Sequence, residues 1–195
     1  CDLNMRLYRR CGLKASLWLK LNNEFEENLF TYAATHHNDV LESVFQDIAA
    51  ADIVAFSLFK RNAPVSFSLA EEIHRTFPDK RIIFGGPHTL WLDKNAHLDT
   101  GYDWVIGEGE LPLESIMNGD TTSIYRFREI THLDQLPHYD LSPLQPLDYS
   151  RSLPLLSSRG CPHRCSFCTE RLLYKEFRHH SPRYMFDQIK LLQQQ

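Results

Sequence analysis

The chain has 195 residues, of which 43% are hydrophobic and 12% aromatic, so it has enough apolar side chains to bury a core. Its net charge of −4 gives no reason to expect a nucleic-acid partner. No apolar run approaches the roughly 18 residues that a membrane-spanning helix needs, and no secretory signal is recognisable, so we expect a cytoplasmic protein. Because the chain starts at Cys1 rather than Met, we also expect a piece of a longer protein.

Between residues 38 and 120, short apolar runs alternate with segments of helical periodicity. Three of the runs have the length and composition of buried parallel strands: Asp52–Ser57, Arg81–Phe84 and Asp103–Ile106. Helices are predicted at 38–50, around Leu69 to Phe77, at 90–98 and at 113–117. This alternation predicts an α/β fold with a Rossmann-like parallel sheet that has helices on both faces.

Ligands of such sheets bind beyond the carboxyl ends of the strands. The small hydroxyl of Ser57 leaves room for a cofactor, and paired glycines allow close approach of the backbone. A tight turn would explain Gly85-Gly86 equally well, and Glu108 and Glu110 suit a charged helix start. The role of His88 stays open. The candidate cofactor-binding residues at these strand ends are Ser57, Leu58, Gly85, Gly86, Glu108, Gly109 and Glu110.

Three cysteines stand close together in the second half of the chain, at C-x3-C-x2-C: Cys161, Cys165 and Cys168. Thiolates are the soft ligands that iron–sulfur clusters prefer, and three of them leave one iron of a 4Fe–4S cluster open. The alternative is a zinc site whose fourth ligand is His163, His179 or His180, although zinc more often uses two separated ligand pairs.

The chain between these two regions has the composition of a linker. Residues 121–152 contain scattered prolines, Asp and Ser, so we place a front domain at 1–120 and a linker at 121–152. A short apolar strand at 153–157, the cysteine loop and a helix capped by Ser181-Pro182 then follow. This order is typical of the opening unit of a (β/α) barrel, which we place at 153–195.

The segment Ser158–Cys168, "SRGCPHRCSFC", resembles the signature loop of the radical S-adenosylmethionine (SAM) enzymes. The order of "GGPH", "YDWVIGEGE", "LDQLPHYDL" and "FRHHSPRYM" around it resembles the cobalamin-dependent class of that family, as does the S-x-L … G-G pattern from Ser57 to Gly86. The D-x-H-x-x-G motif of other cobalamin domains is absent, so no cobalt ligand is assigned.

The resemblance implies that the protein is an enzyme. It also implies the fold, the cofactors and the reaction described next. The fold would be a cobalamin-binding Rossmann-like domain followed by a partial TIM-type barrel. The cysteines would hold a 4Fe–4S cluster, Phe167 would lie beside the adenine of SAM, and the strand ends would bind cobalamin. A flavodoxin- or ferredoxin-type donor would reduce the cluster, and a 5′-deoxyadenosyl radical would enable methyl transfer to a small-molecule or peptide substrate.

Two alternatives remain beside this hypothesis. One is a radical SAM enzyme of another reaction type whose front domain is empty, and the other is a zinc-stabilised cofactor- or partner-binding module. Because most of the expected barrel lies outside residues 153–195, we predict that this chain alone turns over no substrate.

Overall fold

The computed structural model of the chain describes residues 38–126, 129–139, 155–168 and 170–193. The described residues before 127 form one compact unit, and those from Glu129 onward form another. Residues 1–37 of the front domain that the sequence predicts at 1–120 lie outside the described residues. Among the helices that the structure describes, none has the length and apolar character needed to cross a bilayer.

The first unit is a parallel sheet with helices between its strands. Its strands are β1 (Ile53–Ser57), β2 (Arg81–Gly85), β3 (Asp103–Ile106) and β4 (Ile124–Arg126). Its helices are α1 (Asn38–Ala49), α2 (Ala63–Thr76), α3 (Thr89–Asn95) and α4 (Glu110–Met117). The strands lie in sequence order and every neighbouring pair is parallel, which confirms the predicted α/β fold.

Alternation along the strands gives each face of the sheet its own core. Phe84 is fully buried on one face and packs against Phe56 and Trp104, with ring centroids 5.3 and 4.9 Å away. Its neighbour Ile83 points to the other face and packs with Val105 and with Ile116 of α4. Helix side chains therefore pack against apolar strand residues on both faces of the sheet.

Arg81 joins the amino ends of three strands. At the start of β2, its guanidinium pairs with Asp103 of β3. It also donates to the carbonyl of Asp120 at 2.5 Å and to the Tyr125 hydroxyl at 3.3 Å. A delocalised guanidinium suits this role because its donors spread in a plane.

The strand β4 falls within the range that the sequence marks as a linker. It has only three residues and pairs with β3 through Trp104↔Ile124, Val105↔Tyr125 and Ile106↔Arg126. Most of the remaining predicted linker, residues 140–152, lies outside the described residues.

The second unit does not contain the predicted barrel among its described residues. It has a 3₁₀ turn (Leu133–Gln135), β5 (Ser158–Arg159), the short helix α5 (Glu170–Leu173), β6 (Arg178–His179) and α6 (Pro182–Leu192). Here β5 and β6 are antiparallel, whereas barrel strands are parallel. Of the strand predicted at 153–157, the described residues are irregular, and Leu155 and Leu156 are exposed rather than in a core.

The last helix begins as the sequence predicts. Ser181 precedes it in an extended conformation, and its side chain accepts a hydrogen bond from the backbone N–H of Tyr184 at 3.1 Å. Pro182 occupies the first helical position, where its missing N–H costs nothing.

Candidate functional site

The carboxyl ends of β1 and β2 are held together by a backbone contact that requires a glycine. The N–H of Leu58 donates to the carbonyl of Gly85 at 2.7 Å, and the N–H of His88 donates to the carbonyl of Leu58 at 3.0 Å. Gly86 has a φ of +92°, and a Cβ there would lie 2.8 Å from the Leu58 nitrogen and 2.9 Å from the Ser57 Oγ. The structure thus brings Ser57, Leu58, Gly85 and Gly86 together, but the close neighbour of Gly86 is the protein itself.

Two polar side chains that sequence reasoning missed fix this edge. The Asn62 amide donates to the Ser57 carbonyl at 2.9 Å and accepts from the Phe59 N–H at 2.7 Å. The fully buried Thr89 hydroxyl lies 2.8 Å from the Gly86 carbonyl and 3.1 Å from the Val105 carbonyl. Asn62 stands one residue before a helix with proline in its first turn, which is a signal for a structural polar residue.

The third strand end lies at the same edge of the sheet because all the strands are parallel. Gly107 has a φ of +106°, and Glu108 after it is buried. Gly109 precedes α4, and a Cβ there would make only ordinary contacts, the nearest at 3.7 Å from Leu113. Glu110 occupies the first turn of α4, where a carboxylate is favoured by the helix dipole.

Two aromatic side chains at this edge are exposed. Phe59, after β1, is 51% exposed, and Trp91, in α3, is 55% exposed. The ring of His88 lies parallel to that of Trp91, with centroids 5.4 Å apart and an angle of 6°. Burial first, and then the positive charge of Lys60, lower the pKa of His88 from its ordinary value, so its imidazole is neutral at pH 7.

The cysteine loop lies in the second unit, and its first turn is fixed by Gly160. This glycine has a φ of +79°, and a Cβ there would overlap the carbonyl oxygen of Glu176. The backbone N–H groups of Lys175 and Glu176 both donate to the carboxylate of Glu129. The buried Arg178 donates to the Ile130 carbonyl at 2.6 Å. The end of the loop is therefore tied to the segment that begins at Glu129.

All three cysteines of the loop are free and exposed. The N–H of Cys168 donates to the carbonyl of Cys165 at 3.1 Å, which makes a tight turn of the C-x2-C portion. Phe167 in that turn is 87% exposed. Within the described ranges, no three His, Cys, Asp or Glu side chains are placed so that they could hold a metal ion.

The three histidines considered as a fourth zinc ligand differ in burial and in their contacts. His163 is exposed in the loop, whereas His180 is buried and its Nδ1 lies 3.2 Å from Asp134. The ring of His180 stacks on Tyr184 at 4.0 Å. His179 is exposed, and its Nδ1 lies 3.0 Å from the carbonyl of His180. His180 therefore has a packing role, which the sequence pattern of two adjacent histidines did not indicate.

Comparison with known proteins finds relatives named as methyltransferases. A bacteriochlorophyllide d C-12(1)-methyltransferase of Chlorobaculum tepidum is 26% identical over 162 residues, which are 78% of this chain and 35% of that protein. A bacteriochlorophyllide d C-8(2)-methyltransferase of the same organism is 26% identical over 172 residues, which are 80% of this chain and 37% of that protein. An uncharacterized methyltransferase of Synechocystis sp. is 34% identical over 102 residues, 49% of this chain and 18% of that protein.

The chain spans little more than a third of the length of the two Chlorobaculum relatives. No family model matches the chain. No solved structure matches it either.

These comparisons contradict the identification as a cobalamin-dependent radical SAM enzyme. The relatives are named for methyl transfer, and none of the three names refers to radical chemistry, an iron–sulfur cluster or cobalamin. The identification as a radical SAM enzyme, the function predicted from it and the two alternative functions are therefore wrong. None of the comparisons supports the expected electron donor. The resemblance rested on short motifs, which are open to false matches. The methyl transfer that the resemblance implied agrees with the relatives' names.

Proposed function

We propose that this chain is part of a methyltransferase that moves a methyl group from SAM to a tetrapyrrole-type small molecule. The observation that carries the proposal is its similarity, over about four fifths of the chain, to two proteins named as bacteriochlorophyllide d methyltransferases. The α/β fold with a parallel sheet agrees with this proposal, since such sheets bind small molecules beyond their strand ends.

The second unit supplies the proposed contact with SAM. Phe167 is exposed over almost its whole surface, and a flat apolar ring of this kind is a good partner for adenine. In methyl transfer, an electron pair of the acceptor forms the new bond to the methyl carbon while the bond from that carbon to the sulfonium sulfur breaks. S-adenosylhomocysteine leaves, and the acceptor releases a proton. The part assigned to Phe167 is to bind and orient the nucleoside.

The first unit supplies the proposed contact with the acceptor. Its strand ends combine the exposed residue Ser57, the turn at Leu58, the glycines Gly85 and Gly86, and the segment from Glu108 through Gly109 to Glu110. We assign the acceptor to this edge because it offers polar groups beside exposed apolar rings.

SAM binding by the 195-residue chain tests the first assignment. In equilibrium dialysis, Phe167→Ala should weaken SAM binding about fivefold, which is the loss expected for one aromatic contact. Phe186→Ala is the matched control, since Phe186 is 51% exposed in the same unit but lies on α6. Equal SAM binding by wild type and Phe167→Ala would exclude the assignment, and no binding by wild type would exclude the proposed function for this chain.

A second proposal concerns Cys161, Cys165 and Cys168, which we infer to be metal ligands. Three exposed thiols at this spacing form a soft donor set, and a loop can rearrange to bring them onto one metal centre. A centre held by three thiolates keeps a coordination position for a further ligand.

Metal analysis after anaerobic purification tests this proposal. Wild type should retain metal in stoichiometric amount, and Cys165→Ser should lose most of it, whereas Cys11→Ser should retain it. Zinc alone, or iron with acid-labile sulfide, would identify the centre. Metal-free wild type, or retention by Cys165→Ser, would contradict the assignment.

A further inference from the structure

Exposed aromatic rings lie at the carboxyl edge of the sheet, beside the strand-end residues already assigned to the acceptor. We call Phe59, His88 and Trp91 the aromatic platform. Phe59 and Trp91 are both more than half exposed, although aromatic side chains usually bury most of their surface. They belong to the segments that follow β1 and β2, whose ends are adjacent because Ser57 pairs with Gly85.

Hydrogen bonds hold these two segments against each other. The carbonyl of Leu58, directly before Phe59, accepts from the N–H of His88 at 3.0 Å. Phe59 itself is fixed at both ends of its backbone: its N–H donates to the Asn62 side chain at 2.7 Å, and its carbonyl accepts from the Asn62 N–H at 3.1 Å. The rings are thus carried on a rigid support, which reduces the entropy lost when a flat ligand binds.

The platform offers uncharged aromatic rings, and exposed cationic side chains lie near them in the sequence. The His88 and Trp91 rings are parallel within 6°, and the imidazole is neutral at pH 7. Lys60 directly follows Phe59 and is exposed, and its positive charge contributes to lowering the pKa of His88. Exposed aromatic rings beside an ammonium group are complementary to a planar conjugated molecule that carries a carboxylate.

We propose that the aromatic platform binds the conjugated ring of the methyl acceptor, with an acceptor carboxylate paired to Lys60. The inference rests on the proposed function, because that function supplies a tetrapyrrole-type acceptor. Beyond that function, the inference names the residues that would recognise the conjugated ring and the carboxylate of the acceptor. Polar strand ends alone would not favour a large flat ligand over a small polar one.

Absorbance titration with chlorin e6, a chlorin that carries carboxylates, tests the proposal on the 195-residue chain. Trp91→Leu and Phe59→Leu should each weaken binding about fivefold, since each removes one ring contact. Lys60→Gln should weaken binding at low salt and should make the affinity less sensitive to added salt, because the carboxylate contact is electrostatic. Circular dichroism checks that each variant keeps the wild-type fold, which is expected for exposed positions.

Two matched controls separate the platform from general stickiness. Phe186→Leu removes an equally exposed ring, and Lys175→Gln removes an exposed cation, both from the second unit. Both should bind chlorin e6 as wild type does. Equal binding by wild type, Trp91→Leu and Phe59→Leu would overturn the proposal, as would wild type that binds no chlorin. SAM binding on the same samples distinguishes the outcomes: wild type that binds SAM but no chlorin rejects the platform alone, and wild type that binds no SAM rejects the proposed function.

Discussion

At the scale of single residues, two glycines adopt the same left-handed conformation for different reasons. Gly86 and Gly119 both have a φ of +92°. Around Gly86, a Cβ would come within 3 Å of two backbone atoms of Leu58 and of the Ser57 hydroxyl, whereas nothing lies within 4 Å of a Cβ at Gly119. A substitution at Gly119 therefore introduces backbone strain alone, whereas a substitution at Gly86 introduces backbone strain and steric overlap.

We predict that Gly86→Ala destabilises the protein more than Gly119→Ala. Left-handed backbone at a non-glycine residue costs about 1 kcal/mol or somewhat more, and Gly119→Ala should show that cost alone. Gly86→Ala adds an overlap that the surrounding backbone has to relieve, so its free energy of unfolding should fall by about 3 kcal/mol. Urea denaturation of both variants measures the difference. Equal losses of unfolding free energy in the two variants would mean that the backbone at the ends of β1 and β2 can move apart without cost.

At the scale of elements, Asn62 links the end of β1 to the start of α2. Its amide uses both a donor and an acceptor, one toward Ser57 and one toward Phe59, and it is 9% exposed. The turn between strand and helix thus keeps its backbone groups paired in a place where water has little access.

Asn62→Ala should lower the free energy of unfolding by about 1–3 kcal/mol, because it leaves a part-buried N–H and a carbonyl without their partner. It should also weaken chlorin binding, since Phe59 loses its support. Asn95→Ala is the control: Asn95 is exposed and donates one hydrogen bond to the Trp91 carbonyl at 2.8 Å. Thermal unfolding followed by circular dichroism compares the two, and a loss for Asn62→Ala no larger than for Asn95→Ala would contradict the role given to Asn62.

Sequence patterns predicted the elements whose signal is local. The apolar runs at β1, β2 and β3 and the Ser181-Pro182 helix start are examples, since buried strands and caps depend on a few adjacent residues. The strand β4 escaped because three residues between polar segments carry little periodicity. The antiparallel pairing of β5 with β6 was not predicted, because it depends on contacts between residues 19 and 21 positions apart in the sequence.

The candidate site was predictable in its location but not in its detail. Parallel strands fixed which edge would carry Ser57 and Gly86, whereas the contacts of Asn62 and Thr89 follow from the packing of turns that no spacing rule describes. The cysteine spacing marked Cys161, Cys165 and Cys168 as candidate ligands, and that assignment stays a prediction. The exposure of Trp91 could not be predicted, because a tryptophan in a helix is more often buried.

At the scale of the whole molecule, polar contacts fasten the second unit across long stretches of chain. The fully buried Gln188 of α6 accepts from the backbone N–H of Tyr139 at 2.7 Å and donates to its carbonyl at 3.2 Å. The Tyr184 hydroxyl donates to the Pro137 carbonyl at 2.9 Å. Asp134 accepts from the Ser181 N–H at 3.0 Å. These hydrogen bonds attach the segment 129–139 to α6. One of them involves a group that can lose or gain a proton, the carboxylate of Asp134.

The carboxylate of Asp134 should make stability depend on pH. Hydrogen bonds from the Ser181 side chain and backbone, followed by the one with His180, lower the pKa of Asp134 from its ordinary value of about 4. Because the folded pKa lies below the unfolded one, the contribution of Asp134 is complete above pH 4 or so and is lost as the pH falls through the folded pKa. Asp134→Asn should therefore lower Tm at pH 7, and the gap to wild type should close on acidification. Thermal unfolding across this range measures the gap. Asp187→Asn is the control, because the half-buried Asp187 loses only a surface pair with Arg183. A gap that stays constant down to the lowest pH would show that Asp134 acts through its shape and not its charge.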